Sequence, residues 1–308
     1  MSISNTPTIV IVGPTASGKT ALSIDLAQKY NGEVISADSR AIYRHMDIGT
    51  AKSTPVEQSK VRHWGIDLVE PDERFTAFDF KLYAIDKINN IKSRGKTPFL
   101  VGGSGLYIDT VIYDYQLRPR PNQKLRDKLN KLNINELHEY CRAHSVLLPE
   151  NYKNKRYVIR AIETGRTSSI DRNTIQTGYI VVGISTPREV LAERISLRAE
   201  KMFTQDIVKE TTYLAERYDW GSEPMKSNIY RIVHEWQQGI VSLEEAKSKF
   251  IQLDKNLAKR QMTWFRRNPH IVWLDLDSAK KYISGLLENK NMLQSEHNAE
   301  EDDNKQPR

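Results

Sequence analysis

Gly13-Pro14-Thr15-Ala16-Ser17-Gly18-Lys19-Thr20 is the stretch that decides how the chain is read. It fits the spacing G-x-x-x-x-G-K-[ST]. Glycines at its ends let backbone N–H groups close around phosphate oxygens. Lys19 adds a point charge, and the Thr20 hydroxyl can ligate Mg²⁺. The surroundings agree. Thr8–Val12 before it is a β-branched apolar run, and Lys19–Tyr30 after it carries a helical pattern through Leu22, Ile24, Leu26 and Ala27. A glycine-rich turn with no ligand does not explain why a lysine and a threonine open the helix. Gly13, Thr15, Ala16, Ser17, Gly18, Lys19 and Thr20 are therefore the candidate phosphate-binding residues.

Working outward, further short strands are expected at Val34–Ser36, Thr97–Val101, Tyr179–Ile184 and Ile271–Leu274. Helical stretches separate them, notably Phe78–Arg94 and Arg188–Tyr218. Strands alternating with helices predict an α/β fold, a parallel sheet flanked by helices. Residues 115 to 175 show no convincing strand and read as an all-helical insertion. The expected layout is a core in two parts, 1–114 and 176–288, with 115–175 inserted and 289–308 as a disordered tail. The 308 residues suit about two such units.

The basic excess is local. Lys plus Arg number 46 against 39 Asp plus Glu, a formal net charge of +7. Residues 118–172 alone hold thirteen bases against six acids, which equals the whole excess. A second cluster, Lys255, Lys259, Arg260, Arg266 and Arg267, has no acid within it. Two concentrated basic zones suggest a polyanionic partner, although a basic helix is also an ordinary solvated face. One cysteine, Cys141, excludes an internal disulfide and a cysteine zinc site. No stretch approaches the roughly 18 uncharged apolar residues of a membrane span, and the N-terminus lacks a signal-peptide pattern. A cytoplasmic protein without membrane contact is expected, with monomer the simplest state.

A phosphate loop does not name its ligand. An ATPase supplies a second acid at the end of an apolar strand to hold Mg²⁺. Tyr179–Ile184 ends without one, and Asp275 lies far along the chain. The acid that follows an early strand is Asp38, after Val34-Ile35-Ser36-Ala37. Strand carboxyl ends open onto the ligand crevice, so Asp38 should face the phosphate loop. Val101-Gly102-Gly103-Ser104-Gly105 follows the next strand as a tight turn that can reach the same crevice. His63 and Cys141 receive no chemical role. Near the end, Leu257–Arg266 is a basic helix. Arg260, Trp264 and Arg267 can share a face there, an arrangement that suits phosphates and bases unless the Trp is simply buried.

Taken in order, GPTASGKT, ISADS with IYRHMDIGTAK, VGGSGLY, RYVIRAIE and AKRQMTWFR resemble the tRNA dimethylallyltransferases (tRNA isopentenyltransferases). The likeness covers roughly residues 8–275, as a divergent bacterial-type member. It implies transfer of the dimethylallyl group of dimethylallyl diphosphate to the exocyclic amine of the adenine 3′ to the tRNA anticodon. The loop then grips diphosphate as a leaving group, with Lys19, Thr20 and Mg²⁺, and Arg266 joins that site. The likeness makes Asp38 the general base and Ser104 the hydroxyl that orients the amine. It puts Asp38, Ser39, Arg40, Ala41 and Ser104 beside the target base. Arg126, Arg156, Tyr157 and Arg160 of the insertion grip the tRNA, with Lys259 and Arg260 from the basic helix.

The chain also departs from the family pattern. Lys226 and Ile229 stand where many members have Arg and Gly, and an Ile does not readily adopt a glycine's backbone conformation. Asp254-Lys255 replaces the usual Thr-Arg before AKRQ. Two other readings stay open: a phosphate-loop kinase acting on a nucleoside or RNA end, and a catalytically weakened tRNA-binding paralogue.

Overall fold

A computed structural model describes residues 6–113, 115, 123–165, 174–222, 224–225 and 228–303. The order of elements is β1 (Thr8–Val12), α1 (Lys19–Lys29), β2 (Gly32–Ser36), α2 (Pro55–Lys60), β3 (His63–Trp64), α3 (Ala77–Ser93), β4 (Thr97–Gly102), α4 (Gly105–Ile112), α5 (Gln123–Lys131), α6 (Ile134–Ala143), α7 (Lys155–Thr164), β5 (Tyr179–Ile184), α8 (Arg188–Met202), α9 (Gln205–Arg217), α10 (Asn228–Gln237), α11 (Leu243–Phe265), β6 (Val272–Leu274) and α12 (Leu276–Asp303). The chain divides into two compact units. One comprises residues 1–112 and 175–308, the other Tyr113–Thr174.

The first unit is built on one parallel sheet in the order β3-β2-β4-β1-β5-β6. β1 sits inside, between β4 and β5, and all five of its residues are buried. That is why its sequence is an unbroken apolar run rather than an alternating one. Ile9 and Ile11 share a core with Leu22 and Leu26 of α1, Phe99 and Val101 of β4, Val182 and Ile184 of β5, and Ile283 and Leu287 of α12. At about 25 cal/mol per Å² of apolar surface removed from water, this layer dominates the stability of the unit. The edge strand β3 has only two residues, too few to give a period in the sequence. It exists because Val34 and Ile35 of β2 offer it a ladder.

The helical stretch expected from Arg188 to Tyr218 is two helices. α8 ends at Met202, and the Thr204 side chain caps α9 by accepting the Asp206 N–H. A threonine at that point ends one helix and starts the next. α12 runs through Asp303, so residues 289–303, expected as a disordered tail, are helical. No proline or glycine interrupts them after Gly285, and Lys, Leu, Met, Gln, Ala and Glu favour the helix. Residues 304–308 lie outside the described ones. Ile229 falls in the first turn of α10 and is buried, so its position makes no demand for a glycine. Lys226 lies outside the described residues. Among the described residues no helix is long and apolar enough to cross a membrane.

The second unit has helices only among its described residues. Leu129 of α5, Leu137 and Cys141 of α6, and Val158, Ile159 and Ile162 of α7 form its core. Asn133 and Glu136 make a reciprocal cap at the start of α6. Cys141 is buried in that core and its thiol is pushed up by burial, which makes it a packing residue.

Candidate active site

The phosphate loop leaves the carboxyl end of β1 and runs into the N-terminus of α1. Gly18 takes a left-handed conformation, φ 91°, so that the helix can begin at Lys19. The Lys19 ammonium folds back over the loop, donating to the Pro14 carbonyl at 2.5 Å and to Ser17 Oγ at 3.3 Å. Burial draws its pKa down to about 8. The Asp38 carboxylate opposes that shift, and the Arg198 guanidinium adds to it. Thr20, next along α1, is exposed.

Asp38 follows β2. Its Oδ1 accepts the Arg40 N–H at 2.8 Å, a local turn that fixes the carboxylate. β4 ends beside it. The Ser104 N–H donates to the Ala37 carbonyl at 3.2 Å, and the Ser104 hydroxyl accepts the Ser39 N–H at 2.9 Å and donates to Ser39 Oγ at 3.1 Å. Ser104 thus ties the Asp38 turn to the β4 turn. The structure brings together Lys19, Asp38, Ser39 and Ser104 at the carboxyl ends of β1, β2 and β4.

α11 closes over both turns. Gln261 Oε1 accepts the Thr15 N–H at 2.8 Å. A Cβ on Gly103 would stand 2.3 Å from Gln261 Nε2, and one on Gly105 would stand 2.1 Å from Trp264 Cδ1. Gly105 is required because the rigid Trp264 ring lies against the turn, whereas the Gln261 amide beside Gly103 is the far end of a flexible side chain. The Trp264 indole N–H donates to Asp109 Oδ2 at 3.0 Å. Of the two readings open for this ring, the packing one fits: it anchors α11 to α4, with Arg267 6.0 Å from its centroid. Lys259 and Arg260 are exposed on α11, and Arg266 is exposed at its end.

Two side chains at the phosphate loop escape the sequence reading. Arg198 of α8 donates from Nη1 to Thr15 Oγ1 at 2.6 Å, 183 residues away in the chain. Asp254 of α11 lies 3.5 Å from the same Nη1. Arg198 sits among other exposed-looking bases of a helical stretch, so nothing local marks it. Gln261 stands inside the quoted AKRQ block, which was the only available signal.

The IYRHMDIGTAK block supports the site rather than forming it. Glu210 of α9 accepts the N–H groups of Asp47, Ile48 and Gly49 at 3.1, 2.8 and 2.9 Å, and the Tyr230 hydroxyl at 2.9 Å. Buried Lys52 donates to the Tyr43 carbonyl at 2.8 Å and to the carboxylates of Asp47 and Asp67 at 2.5 and 2.6 Å. A buried ammonium persists because all three partners are oxygens. Ala41 is buried, and its carbonyl accepts the Asp67 N–H, so its methyl group presents no surface to RNA. His63 Nδ1 lies 2.8 Å from the Val61 carbonyl and burial lowers its pKa, consistent with a loop-satisfying role.

In the second unit, Arg156 and Tyr157 are exposed at the start of α7. Arg126 and Arg160 both pair with Glu163, at 2.9 and 3.2 Å, and the Glu163 side chain is 2% exposed. One buried carboxylate therefore aims two arginines.

Fold and site together define a phosphate-loop α/β transferase. Its loop is closed by a C-terminal helix, and a helical unit is inserted between α4 and β5. The family model described as IPP transferase matches residues 41–268, and the chain belongs to that family. It is 37% identical to a tRNA dimethylallyltransferase of Staphylococcus saprophyticus, covering 91% of this chain and 94% of that one. It is 38% identical to a tRNA dimethylallyltransferase of Acetivibrio thermocellus, covering 90% and 95%. The solved full-length tRNA isopentenylpyrophosphate transferase of Bacillus halodurans superposes with a TM-score of 0.69 at 34% identity, over 94% of this chain and 99% of that one. A eukaryotic dimethylallyltransferase solved while acting on tRNA gives 0.70 at 25% identity, over 88% and 74%.

Proposed function

We propose that the protein transfers the dimethylallyl group of dimethylallyl diphosphate to the exocyclic amine of the adenine 3′ to the tRNA anticodon, releasing diphosphate. One observation carries this reading: the phosphate loop faces the Asp38 carboxylate just after β2, while neither strand beside β1 ends in an acid. β4 runs into Gly103-Ser104 and β5 into Ser185-Thr186. A loop so equipped suits gripping a leaving group better than splitting ATP, and this sets the kinase reading aside.

In this reading the allylic C–O bond breaks as the N–C bond forms. Lys19, Arg198 and the loop amides take up charge on the departing diphosphate. Asp38 accepts the amine proton, with Oδ1 already held by Arg40 N–H. Ser104 and Ser39 fix the turn that presents it.

Among the described residues no group of three His, Cys, Asp or Glu could hold a metal. Exposed Thr20 fits a magnesium ion held mainly by substrate phosphates. Such an ion supplies charge neutralisation on the leaving oxygens. Gly13, Thr15, Ala16, Ser17 and Gly18 line the diphosphate, Gln261 of α11 holds the loop through Thr15, and Arg266, exposed just past the end of α11, joins the same site. Arg156, Tyr157, Arg126 and Arg160, with Lys259 and Arg260, serve the tRNA backbone, and the target base leaves its stack to be reached. A cytoplasmic location follows from that substrate.

The test is nucleoside mass spectrometry on unmodified tRNA incubated with the protein, Mg²⁺ and dimethylallyl diphosphate, without ATP. A dimethylallyl-adenosine peak is expected. Bound tRNA with no such peak would establish the weakened binding relative instead.

A further inference from the structure

Asp254 lies on α11 two helical turns before Gln261, so both side chains face the phosphate loop. It is 8% exposed. A carboxylate at that depth needs a partner. Its partner is Arg198, at 3.5 Å, but the pair is imperfect. Among the described residues neither Asp254 Oδ2 nor Arg198 Nε has a hydrogen-bond partner. Arg198 faces the other way as well, donating to Thr15 Oγ1 and bearing on Lys19. One guanidinium thus lies between a buried carboxylate and the phosphate loop, with donor capacity to spare. Burial and the nearby Asp38 carboxylate push the Asp254 carboxyl up, and Arg198 opposes them.

We propose that Asp254 is a positioning residue for the diphosphate group: it holds Arg198 against the phosphate loop and offsets part of its charge, so that diphosphate is gripped less tightly and released sooner than with a neutral side chain there. The inference rests on the reading of the loop as a diphosphate site.

The experiment titrates inorganic pyrophosphate with Mg²⁺ into the full-length protein by calorimetry, for wild type, Asp254→Asn, Arg198→Ala and the double variant. Asn keeps the volume and one acceptor while removing the charge. Asp254→Asn should tighten pyrophosphate binding about five- to tenfold, the scale of coupling between contacting groups. Arg198→Ala should weaken it, and adding Asp254→Asn to Arg198→Ala should then change nothing further. In prenyl transfer, Asp254→Asn should lower KM for dimethylallyl diphosphate and lower kcat with it. Unchanged or weaker binding by Asp254→Asn overturns the proposal, as does equal tightening in the Arg198→Ala background. If Asp254→Asn fails to fold, Asp254→Thr carries the same test. Wild-type protein that binds no pyrophosphate would instead overturn the diphosphate reading of the loop.

Discussion

Gln261 and Thr15 stand 246 residues apart and share one hydrogen bond of 2.8 Å, through which α11 fixes the phosphate loop. The bond uses the Thr15 N–H, a loop donor that the helix thereby satisfies. Its neighbour Trp264 seats the same helix on the β4 turn. Removing Gln261 leaves the turn and the helix in place but frees the loop. Gln261→Ala should raise KM for dimethylallyl diphosphate several-fold, about 1 kcal/mol for one hydrogen bond, while the melting temperature moves little. Steady-state kinetics with varied donor checks it.

Asp38→Ala should leave tRNA binding intact and cut turnover by about 100-fold or more, the usual loss with a general base. A tRNA filter-binding assay beside single-turnover kinetics separates the two effects. Near-normal turnover would take Asp38 out of the mechanism.

Lys19 gives a pH dependence with a definite sign. In the free protein its pKa is about 8, lowered by burial. A diphosphate favours the charged ammonium, so binding takes up a proton wherever free Lys19 is neutral. Affinity for pyrophosphate should therefore be level below about pH 8 and fall as pH rises through it. Calorimetry in buffers of different ionisation heat measures the proton uptake directly. Lys19→Arg should abolish the uptake near pH 8.

Gly105→Ala puts a methyl group 2.1 Å from Trp264 Cδ1. The helix must shift or the turn must open, at about 1–3 kcal/mol for overpacking. Thermal unfolding should show the loss, and Trp264 fluorescence should shift with it. The smaller ring of Trp264→Phe in the same background should restore part of the stability.

Arg156 and Arg160 are basic residues of the same helix with different surroundings. Arg156 is exposed and Arg160 is paired to buried Glu163. Arg156→Glu should weaken tRNA and reduce the salt slope by about 1 with no change in stability. Glu163→Gln should weaken tRNA as well but also destabilise the helical unit, because two arginines lose their common partner. Filter binding across a salt series, beside circular dichroism melts, distinguishes them. Equal tRNA affinity in Arg156→Glu would remove the insertion from the RNA interface.

The sequence makes β1, its loop and α1 readable because the loop chemistry and the apolar run coincide within twenty residues. Asp38 and Ser104 are readable for a related reason: each follows a strand, and parallel strands deliver their carboxyl ends to one edge. Arg198, Asp254 and Gln261 are not. Their roles come from helices that pack over the loop from far along the chain, and apart from the AKRQ block that holds Gln261 no local pattern separates them from surface residues. Trp264 kept two readings because a ring flanked by bases looks the same whether it meets a nucleobase or a glycine. β3 escaped because its conformation belongs to its neighbour.

The closure of the phosphate loop by α11 also sets an order of events in biosynthesis. A ribosome adding about 5–20 residues per second makes Gln261 on the order of tens of seconds after Thr15. Throughout that interval the nascent chain carries a phosphate loop without its clamp, so the loop is fixed only when nearly all of the core has been made.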